Sequence, residues 1–262
     1  MSPTALTDAA KRVVRNLVPA LVRFQRSGKG FLAGGEKEVH ELPRLVEPGT
    51  AVIDVGALVG DYAYTLCNLV GPNGLVICVE PQPDYARVLR KAARSLKLPM
   101  QVLECALSSR AGTAELKVPV VDGRQKNGFA SLDHEVQSGK TINVPLRRLD
   151  DIAATLDRRL SFLKVDVEGH ELEVFKGAVE TLKQHRPNLL VEIEQRHSRV
   201  PIEETFGFIL TQGYAGYFLD AGRQRQPLSA FDARKNQELG PTERTSGPSQ
   251  ADYVSNFVFT PS

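Results

Sequence analysis

The sequence lacks any hydrophobic run long enough to cross a membrane. No stretch reaches about 18 consecutive apolar residues, the length that a spanning helix requires, and the N-terminus has no unbroken apolar segment typical of secretory signals. With 262 residues and 42% hydrophobic content, the chain still has ample material for the core of one α/β domain with extensions. We therefore expect a soluble, cytoplasmic protein.

Cysteine is scarce, and its positions argue against the common cysteine-based sites. Cys67, Cys78 and Cys105 are odd in number and widely spaced, and no CxxC pair indicates zinc or a redox dithiol. Two of them fall in apolar strand patterns. We interpret all of them as reduced thiols of the core.

An excess of either charge is also missing. Lysine and arginine together number 33, aspartate and glutamate number 31, and the net charge is +2 at pH 7. A strongly basic balance, which is typical of nucleic-acid binding proteins, is therefore absent. The composition predicts no nucleic-acid partner.

The clearest feature that is present is the stretch from Ala51 to Tyr62, where an apolar run reaches Asp54 and then two glycines, Gly56 and Gly60. The pattern predicts a strand, a tight turn and the start of a helix. Glycine suits such a turn because a positive φ, or a backbone pressed against a ligand, leaves no room for a Cβ. An ordinary strand-to-helix turn is the alternative.

Strand and helix patterns alternate through the first half of the chain. After the strand at 51–55, we predict a helix at 61–70, a strand at 75–80, a helix at 83–98 and a strand at 101–107. The strands are nearly continuous apolar runs separated by helices, which favours a parallel sheet covered on both faces. Right-handed crossovers then make it a doubly wound, Rossmann-like α/β sheet.

An insertion and a second run of strands follow. We predict an inserted β pair at 114–120 and 141–149, joined by a polar stretch at 122–140 whose length suggests a lid or a binding loop. The alternation resumes with strands at 162–167, 188–194, 214–219 and 256–259 and with helices at 171–184 and 203–212. The polar loop at 221–252 is either a flap over the substrate or disordered.

The first 35 residues form a separate basic, amphipathic pattern. Apolar residues recur at helical spacing from Leu6 to Phe24, Pro19 kinks or divides the segment, and glycines between 28 and 35 indicate a hinge. Such a helix packs on its own domain or on a second subunit, which would give a homodimer. A membrane surface is the alternative.

Carboxylates end the main strands. In an open α/β sheet, ligands bind beyond the carboxyl ends of the strands, where the strand order reverses. Asp54 lies beside the glycine turn, and Glu80 ends the second strand, where an acid can accept both hydroxyls of an adenosine ribose. The spacing of the two is close to that of dinucleotide-binding folds. Together they predict a nucleoside site.

Phosphate-binding motifs are missing from the glycine turn. A pyrophosphate site favours GxGxxG, and a triphosphate site favours GxxxxGK[ST]. Leu58 occupies the second position after Gly56, and no lysine follows Gly60. A ligand that has a ribose but no phosphate, such as S-adenosylmethionine, therefore fits best.

The sequence resembles the FkbM family of S-adenosylmethionine-dependent methyltransferases, from about Glu36 to Phe259. The residues that carry the resemblance are Val52-Ile53-Asp54-Val55-Gly56-Ala57 with Gly60, Val79-Glu80-Pro81, Ala106-Leu107-Ser108 with Gly112-Thr113-Ala114, and Lys164-Val165-Asp166-Val167-Glu168-Gly169-His170-Glu171 with Lys176-Gly177. The block from Lys164 to Glu171 is the longest and most specific of these.

The resemblance implies a seven-stranded methyltransferase domain over residues 36–262, with the last strand antiparallel. It also implies methyl transfer, typically to a hydroxyl of a sugar, glycan or natural product. By similarity, the residues at the cofactor are Asp54, Gly56 and Gly60 at the methionine portion, Glu80 at the ribose, and Cys105 and Ala106 at the adenine, with Ala57 and Pro81 beside them. Leu58 departs from the asparagine usual in the family, at a position expected to face the methionine moiety.

Methyl transfer from a sulfonium is an in-line displacement, and an alcohol acceptor must also lose a proton. We predict that acceptor binding and base catalysis use the residues that follow strands four and five, namely Asp166, Glu168, His170 and Glu192, with Glu194 beside them. Histidine exchanges protons most readily near neutral pH, which favours His170 as the base. Alternatively, His170 only caps or packs at a helix start, and Glu168 and Glu171 stabilise that helix through its dipole.

The sequence is also compatible with other interpretations of the site and of the function. Carboxylates around a sugar diol could hold Mg²⁺, while His197 and Arg199 are interpreted as loop residues or acceptor contacts. A binding protein that keeps the fold and the cofactor without turnover, and an N-methyltransferase for a peptide or protein, are the alternative functions. The acceptor would be chosen by the loops at 122–140 and 221–252.

Overall fold

The structure, a computed structural model, describes residues 36–121, 124–125, 132, 139–237 and 253–262. The amphipathic helix and hinge predicted for residues 1–35 lie outside the described residues, and so do most of the polar stretch at 122–140 and residues 238–252 of the second long loop. In the described part of the chain, no helix combines the length and the apolar character needed to cross a membrane.

The described elements follow the predicted alternation. The helices are α1 (Leu42–Leu45), α2 (Asp61–Val70), α3 (Pro83–Leu96), α4 (Leu149–Ala153), α5 (Glu171–Lys176), α6 (Val179–His185), α7 (Ile202–Thr211) and α8 (Ala233–Asn236). The strands are β1 (Ala51–Val55), β2 (Leu75–Val79), β3 (Met100–Leu103), β4 (Ala106–Leu107), β5 (Gly112–Val121), β6 (Arg124–Gln125), β7 (Gly139–Arg147), β8 (Leu160–Val165), β9 (Asn188–Glu192), β10 (Tyr214–Leu219), β11 (Arg225–Pro227) and β12 (Asn256–Pro261).

The main sheet has the order β11-β10-β12-β9-β8-β1-β2-β3. β12 runs antiparallel to both of its neighbours, β9 and β10, whereas β3, β2, β1, β8 and β9 pair in parallel. This confirms the doubly wound α/β sheet with an antiparallel last strand. The seven predicted strands are all present, and the short β11 adds an eighth at the edge through antiparallel pairs with β10. The strand order reverses between β1 and β8.

Helices cover both faces of the sheet, which explains why its central strands are continuous apolar runs. Every residue of β1 and β8 is buried. Ile53 of β1 packs in a cluster with the helices α5 to α7, while its neighbour Val52 packs in a second cluster with α1, α2 and α3. Alternate residues of one strand therefore enter opposite hydrophobic cores.

Two predicted elements are each divided in the structure. The predicted strand at 101–107 separates into β3, which pairs with β2, and β4, which leaves the main sheet to pair with β7. The predicted helix at 171–184 becomes α5 and α6, which are separated at Gly177 and Ala178. A Cβ at Gly177 would lie 2.2 Å from the backbone oxygen of Ser108, so the position accepts only glycine. The carboxylate of Asp150 accepts hydrogen bonds from both Thr181 N and Thr181 Oγ1 (2.8 Å each) in the first turn of α6.

The inserted β pair is present. β5 and β7 pair antiparallel over residues 112–119 and 139–146 and, with β4 and β6, form a separate four-stranded sheet. Its own small core contains Leu116, Val118, Val144 and Leu146, together with Ala106 of β4. Because β4 belongs to this sheet, the insertion stands directly beside the carboxyl ends of the main strands.

Candidate active site

An open pocket of about 620 Å³ lies at the carboxyl ends of β1, β2 and β8. This is the point where the strand order of the main sheet reverses, as the sequence predicts for a ligand site. We call it the donor pocket, because the resemblance implies that it holds the methyl donor. The predicted site residues that line it are Gly56, Glu80, Pro81, Cys105, Ala106, Asp166, Glu168 and His170. Leu58, Leu116, Leu132 and Val167 are among the other lining residues.

The glycine turn owes its shape to the neighbouring strand. Gly56 has a φ of 83°, and a Cβ on it would lie 1.9 Å from the backbone oxygen of Asp166, just after β8. The backbone of Asp166 alone therefore leaves no room for a side chain at Gly56, and the same residue also lines the donor pocket. Gly60 has a φ of 92°, and its N–H donates to the carbonyl of Ala57 at 2.7 Å. Ala57 and Gly60 thus shape the turn without lining the donor pocket.

Glu80 is an almost completely buried acid in the wall of the donor pocket, with 2% of its surface exposed. Its Oε1 accepts a hydrogen bond from Gln82 N, and its Oε2 accepts one from Leu58 N, both at 2.8 Å. Burial raises the pKa of Glu80 to about 7, although the two hydrogen bonds oppose that rise. Each oxygen keeps a further lone pair, so the side chain can accept the two hydroxyls of a ribose.

Leu58 has an unusual backbone conformation, with a φ of 42°. A side chain with a Cβ is disfavoured in this left-handed region, where glycine and asparagine are best tolerated. Leu58 lines the donor pocket, and its N–H is committed to Glu80. The structure thus connects this position to the predicted ribose acid, whereas the sequence reading connected it to the methionine moiety.

Asp54 is buried beneath the turn, and it does not line the donor pocket. Neither of its carboxylate oxygens has a hydrogen-bond partner. Burial raises the pKa of Asp54 to about 6, and Lys164, its register partner on β8, partly offsets that rise. An orphaned buried carboxylate next to the turn fits a ligand with an ammonium group, such as the methionine moiety, reached directly or through water.

Lys164 is the buried cation at the centre of this region, with 2% exposure. Its Nζ lies 3.0 Å from Asp166 Oδ2 and 4.6 Å from the ring centroid of Tyr62. Burial alone would lower the pKa of Lys164, but the carboxylates of Asp166 and Asp54 raise it above its usual range. Lys164 therefore stays charged and compensates the acids around it.

The inserted sheet forms the apolar end of the donor pocket. Cys105 and Ala106 lie there with Leu116 of β5 and Leu132 of the polar stretch. An apolar wall of this kind suits a flat aromatic base, as the resemblance implies for adenine. Leu132 is the single described residue of 126–138, and it lines the pocket, as expected if this stretch contacts the ligand.

A second, smaller cavity of about 160 Å³ adjoins the donor pocket through Asp166 and Glu168. Its lining is mostly carboxylates, and we call it the acidic cavity: Asp166, Glu168, Gly169, Glu171, Glu192, Glu194 and His197. β8 and β9 are neighbours, so the residues after the two strands meet, as predicted. Burial, with Asp166 nearby, raises the pKa of Glu192 well above that of an exposed glutamate.

His170 is held from the side of the donor pocket that the inserted sheet forms. Its Nε2 lies 3.0 Å from the hydroxyl of Ser108, which follows β4, and both residues are buried. This contact braces the start of α5 against the inserted sheet and favours the structural reading of His170. Glu171 Oε1 accepts a hydrogen bond from Gly169 N at 2.9 Å, so the acid stabilises the turn that leads into α5.

The sequence reading missed the partnership of His197 with Glu168. His197 Nδ1 and Glu168 Oε2 form a close ion pair between the loops that follow β9 and β8. No sequence motif links Glu168 with His197, because the two residues are far apart in the chain. The signal that could have predicted their contact is that each residue follows one of two adjacent strands. Among the described residues, no group of three or more histidine, cysteine or acidic side chains is arranged to hold a metal ion.

Comparison with known proteins agrees with the residues that carry the resemblance. A family model described as the methyltransferase FkbM domain matches residues 54–219. The methyltransferase sdnD of Sordaria araneosa is 29% identical over 201 residues, which make up 64% of this chain and 77% of that protein. The family match confirms the resemblance.

Two solved structures are similar at low identity. Methyltransferase FkbM from Methylobacillus flagellatus KT has 19% identity and a TM-score of 0.49, covering 96% of this chain and 60% of that chain. The O-methyltransferase TomG from Streptomyces achromogenes, solved in complex with S-adenosylmethionine, has 12% identity and a TM-score of 0.47, covering 93% and 90%. The chain thus spans less than two thirds of the Methylobacillus protein.

Proposed function

The chain belongs to the FkbM family of S-adenosylmethionine-dependent methyltransferases, and we propose that it transfers the methyl group to a hydroxyl of a sugar, a glycan or a natural product. The observation that carries this proposal is the donor pocket itself. Glu80, whose two oxygens can each accept a hydroxyl, lines the pocket after β2, and Asp166 and Glu168 line it after β8, with β1 between these two strands. A donor site and a proton-accepting site are therefore adjacent.

We assign the cofactor contacts as follows. Glu80 accepts the ribose hydroxyls, the apolar wall at Cys105 and Ala106 packs on the adenine, and the turn at Gly56 borders the methionine portion. Asp54 beneath the turn supplies negative charge for the ammonium of that portion. When bound, S-adenosylmethionine supplies an activated methyl group, and the remaining chemistry belongs to the chain.

The acceptor side lies at Asp166 and Glu168, which border both the donor pocket and the acidic cavity. Lys164 holds the Asp166 carboxylate at 3.0 Å, which suits that acid to orienting a hydroxyl. Glu168 and Glu192 are the proposed proton acceptors, since a positioned carboxylate that can take the hydroxyl proton speeds the transfer. His170, fixed on Ser108, is assigned to bracing.

Binding is tested first by calorimetry with S-adenosylmethionine and its demethylated product, S-adenosylhomocysteine. We expect both to bind at one site per chain. Turnover is then followed as formation of S-adenosylhomocysteine by mass spectrometry, with a panel of pyranosides and hydroxylated natural products as acceptors. Absence of binding by either nucleoside would refute the proposed function.

One observation favours a second acceptor class. The acidic cavity attracts cationic groups, so an amine is a reasonable alternative to a hydroxyl. Amino sugars and short lysine- or N-terminal-amine peptides therefore belong in the same panel, and methylation of these alone would favour N-transfer. Binding without turnover on any acceptor would favour a non-catalytic role.

A cytoplasmic location and a homodimer remain predictions.

A further inference from the structure

Glu168 and His197 form an ion pair on the boundary between the donor pocket and the acidic cavity. The side chains are largely buried, with 17% and 14% exposure, and Nδ1 of the imidazole contacts Oε2 of the carboxylate. Glu168 lines both spaces, whereas His197 lines only the acidic cavity. His197 therefore grips the carboxylate from the side that faces away from the donor pocket.

The backbone around Glu168 is strained in a way that this grip explains. Glu168 has a φ of 53° and Gly169 a φ of 97°, so two successive residues adopt left-handed conformations. A Cβ on Gly169 would lie 2.1 Å from the backbone oxygen of His197, so the loop after β8 is wedged against the loop after β9. A non-glycine residue stays in this conformation only where its surroundings hold it, and such positions concentrate at functional sites.

His197 itself sits on a braced turn. Its N–H donates to the carbonyl of Glu194 at 3.0 Å, closing the turn after β9. The neighbouring Gln195 is also held in place. Its N–H donates to Gln237 Oε1 at 2.8 Å, and its Nε2 donates to the carbonyl of Val200 at 3.2 Å. The imidazole is therefore presented to Glu168 from a fixed platform.

The surrounding charges favour the protonated form of His197. Burial alone would lower the pKa of His197, but the hydrogen bond and charge of Glu168 raise it. Burial raises the pKa of Glu168, and His197 opposes that rise. The other charged groups that face the pair are Asp166, Glu171, Glu192, Glu194 and Arg196. Four of these five are acidic residues, which favours the protonated imidazole.

We propose that His197 is a positioning residue for methyl transfer, which holds the Glu168 carboxylate at the acceptor end of the donor pocket so that it takes the acceptor's proton. The inference rests on the proposed function. As the acceptor oxygen bonds to the methyl carbon, the carbon–sulfur bond breaks, its electron pair stays on sulfur, and the hydroxyl proton passes to Glu168. His197 keeps its own proton and acts only through Glu168.

The test is a histidine NMR titration of the full chain in three states: free, saturated with S-adenosylhomocysteine, and saturated with S-adenosylmethionine. The chain has 5 histidines, and the His197 signal is assigned by its loss in His197→Gln. The sulfonium adds a positive charge that the thioether lacks. If Glu168 faces the methyl position, that charge lowers the pKa of His197 in the S-adenosylmethionine state relative to the S-adenosylhomocysteine state.

His185 is an internal reference, since its Nδ1 accepts from Leu160 N at the opposite end of β8. We expect its titration to be the same in both ligand states. In Glu168→Gln, the pKa of His197 should fall, because the carboxylate that raises it is gone. Equal titration of His197 with both ligands would overturn the inference while leaving the proposed function intact. Absence of binding by both ligands would overturn the proposed function, and the inference with it.

Turnover gives a second readout on any acceptor that the panel identifies. His197→Gln should lower kcat by about 10- to 100-fold and leave the KM for S-adenosylmethionine nearly unchanged, because the proton acceptor is misplaced while the donor contacts remain. The pH profile of kcat should also shift. The matched control, His185→Gln, should keep the wild-type kcat. An unchanged kcat in folded His197→Gln would contradict the positioning role.

Discussion

Replacing Glu80 by glutamine should weaken cofactor binding by about 10- to 150-fold, which corresponds to the 1.5 to 3 kcal/mol typical of hydrogen bonds to a charged group. The carboxylate now accepts from Leu58 N and Gln82 N at 2.8 Å each, and its remaining lone pairs are those available to a ribose. Glutamine keeps the shape of the side chain but carries one acceptor oxygen, so it cannot serve both N–H groups and the ribose together.

Buried Glu38 provides a matched control for this substitution. It is 2% exposed, its pKa is also raised to about 7 by burial, and it does not line the donor pocket. Glu38→Gln therefore changes a buried acid to the same degree without touching the proposed site. Calorimetry with S-adenosylmethionine should give a wild-type dissociation constant for Glu38→Gln and a weaker one for Glu80→Gln.

A ligand without the ribose hydroxyls separates a direct contact from a general disturbance of the pocket. With the 2′,3′-dideoxy analogue of S-adenosylhomocysteine, wild type and Glu80→Gln should bind nearly equally, because the hydroxyls that distinguish them are gone. If the variant loses as much affinity for the analogue as for the natural ligand, Glu80 does not hold the ribose and the orientation proposed for the cofactor is wrong.

Four further predictions concern the neighbouring residues. Leu58→Asn should relieve the left-handed strain and stabilise the chain by about 0.5 to 1 kcal/mol, seen as a higher thermal midpoint; a lower midpoint would show that the leucine side chain matters more. Lys164→Met should lower the free energy of unfolding in urea by about 3 to 5 kcal/mol, because it leaves buried carboxylates uncompensated. The control Lys176→Met removes an exposed partner of Glu173 and should change the free energy of unfolding by less than about 1 kcal/mol. The pKa of Glu80 predicts that cofactor affinity rises as the pH rises through about 7 and that Glu80→Gln flattens this dependence; equal slopes in both proteins would contradict it. Stability of the free chain should run the other way, because Glu38 and Glu171 titrate near 4.5 when unfolded and at about 7 when folded, so the folded chain binds more protons in this window. The thermal midpoint should therefore decrease as the pH rises from 5 to 7, and this decrease should be less steep in Glu38→Gln.

The sequence predicts the central elements because their signals are local. The strand at Ala51–Val55 and the helices at Asp61–Val70 and Pro83–Leu96 follow an apolar run or a helical period bounded by glycine or proline. The acids at the strand ends are equally readable, since each strand's last residues must lie at the same edge of a parallel sheet. Gly56, Glu80 and the residues after β8 could therefore be placed together.

The remaining features depend on contacts between distant segments. The run at 101–107 is apolar throughout, and nothing local shows that Ala106 and Leu107 leave the main sheet to pair with β7. The helical pattern at 171–184 divides at Gly177, where the backbone packs against the distant Ser108 too closely for a Cβ, and no local pattern shows this contact. The three residues of β11 carry too short a pattern to be recognised as a strand, and their antiparallel partner β10 decides their conformation.

The contact between Gly56 and Asp166 has a consequence for redesign of the enzyme. The same backbone approach sets the curvature of the turn after β1 and the position of the chain as it leaves β8. Any side chain added at Gly56 would displace Asp166. A substitution intended to alter cofactor binding would therefore also move the residue that we assign to acceptor binding. The turn after β1 and the residues after β8 therefore cannot be altered independently at Gly56, and variation that alters acceptor choice is better sought away from this junction.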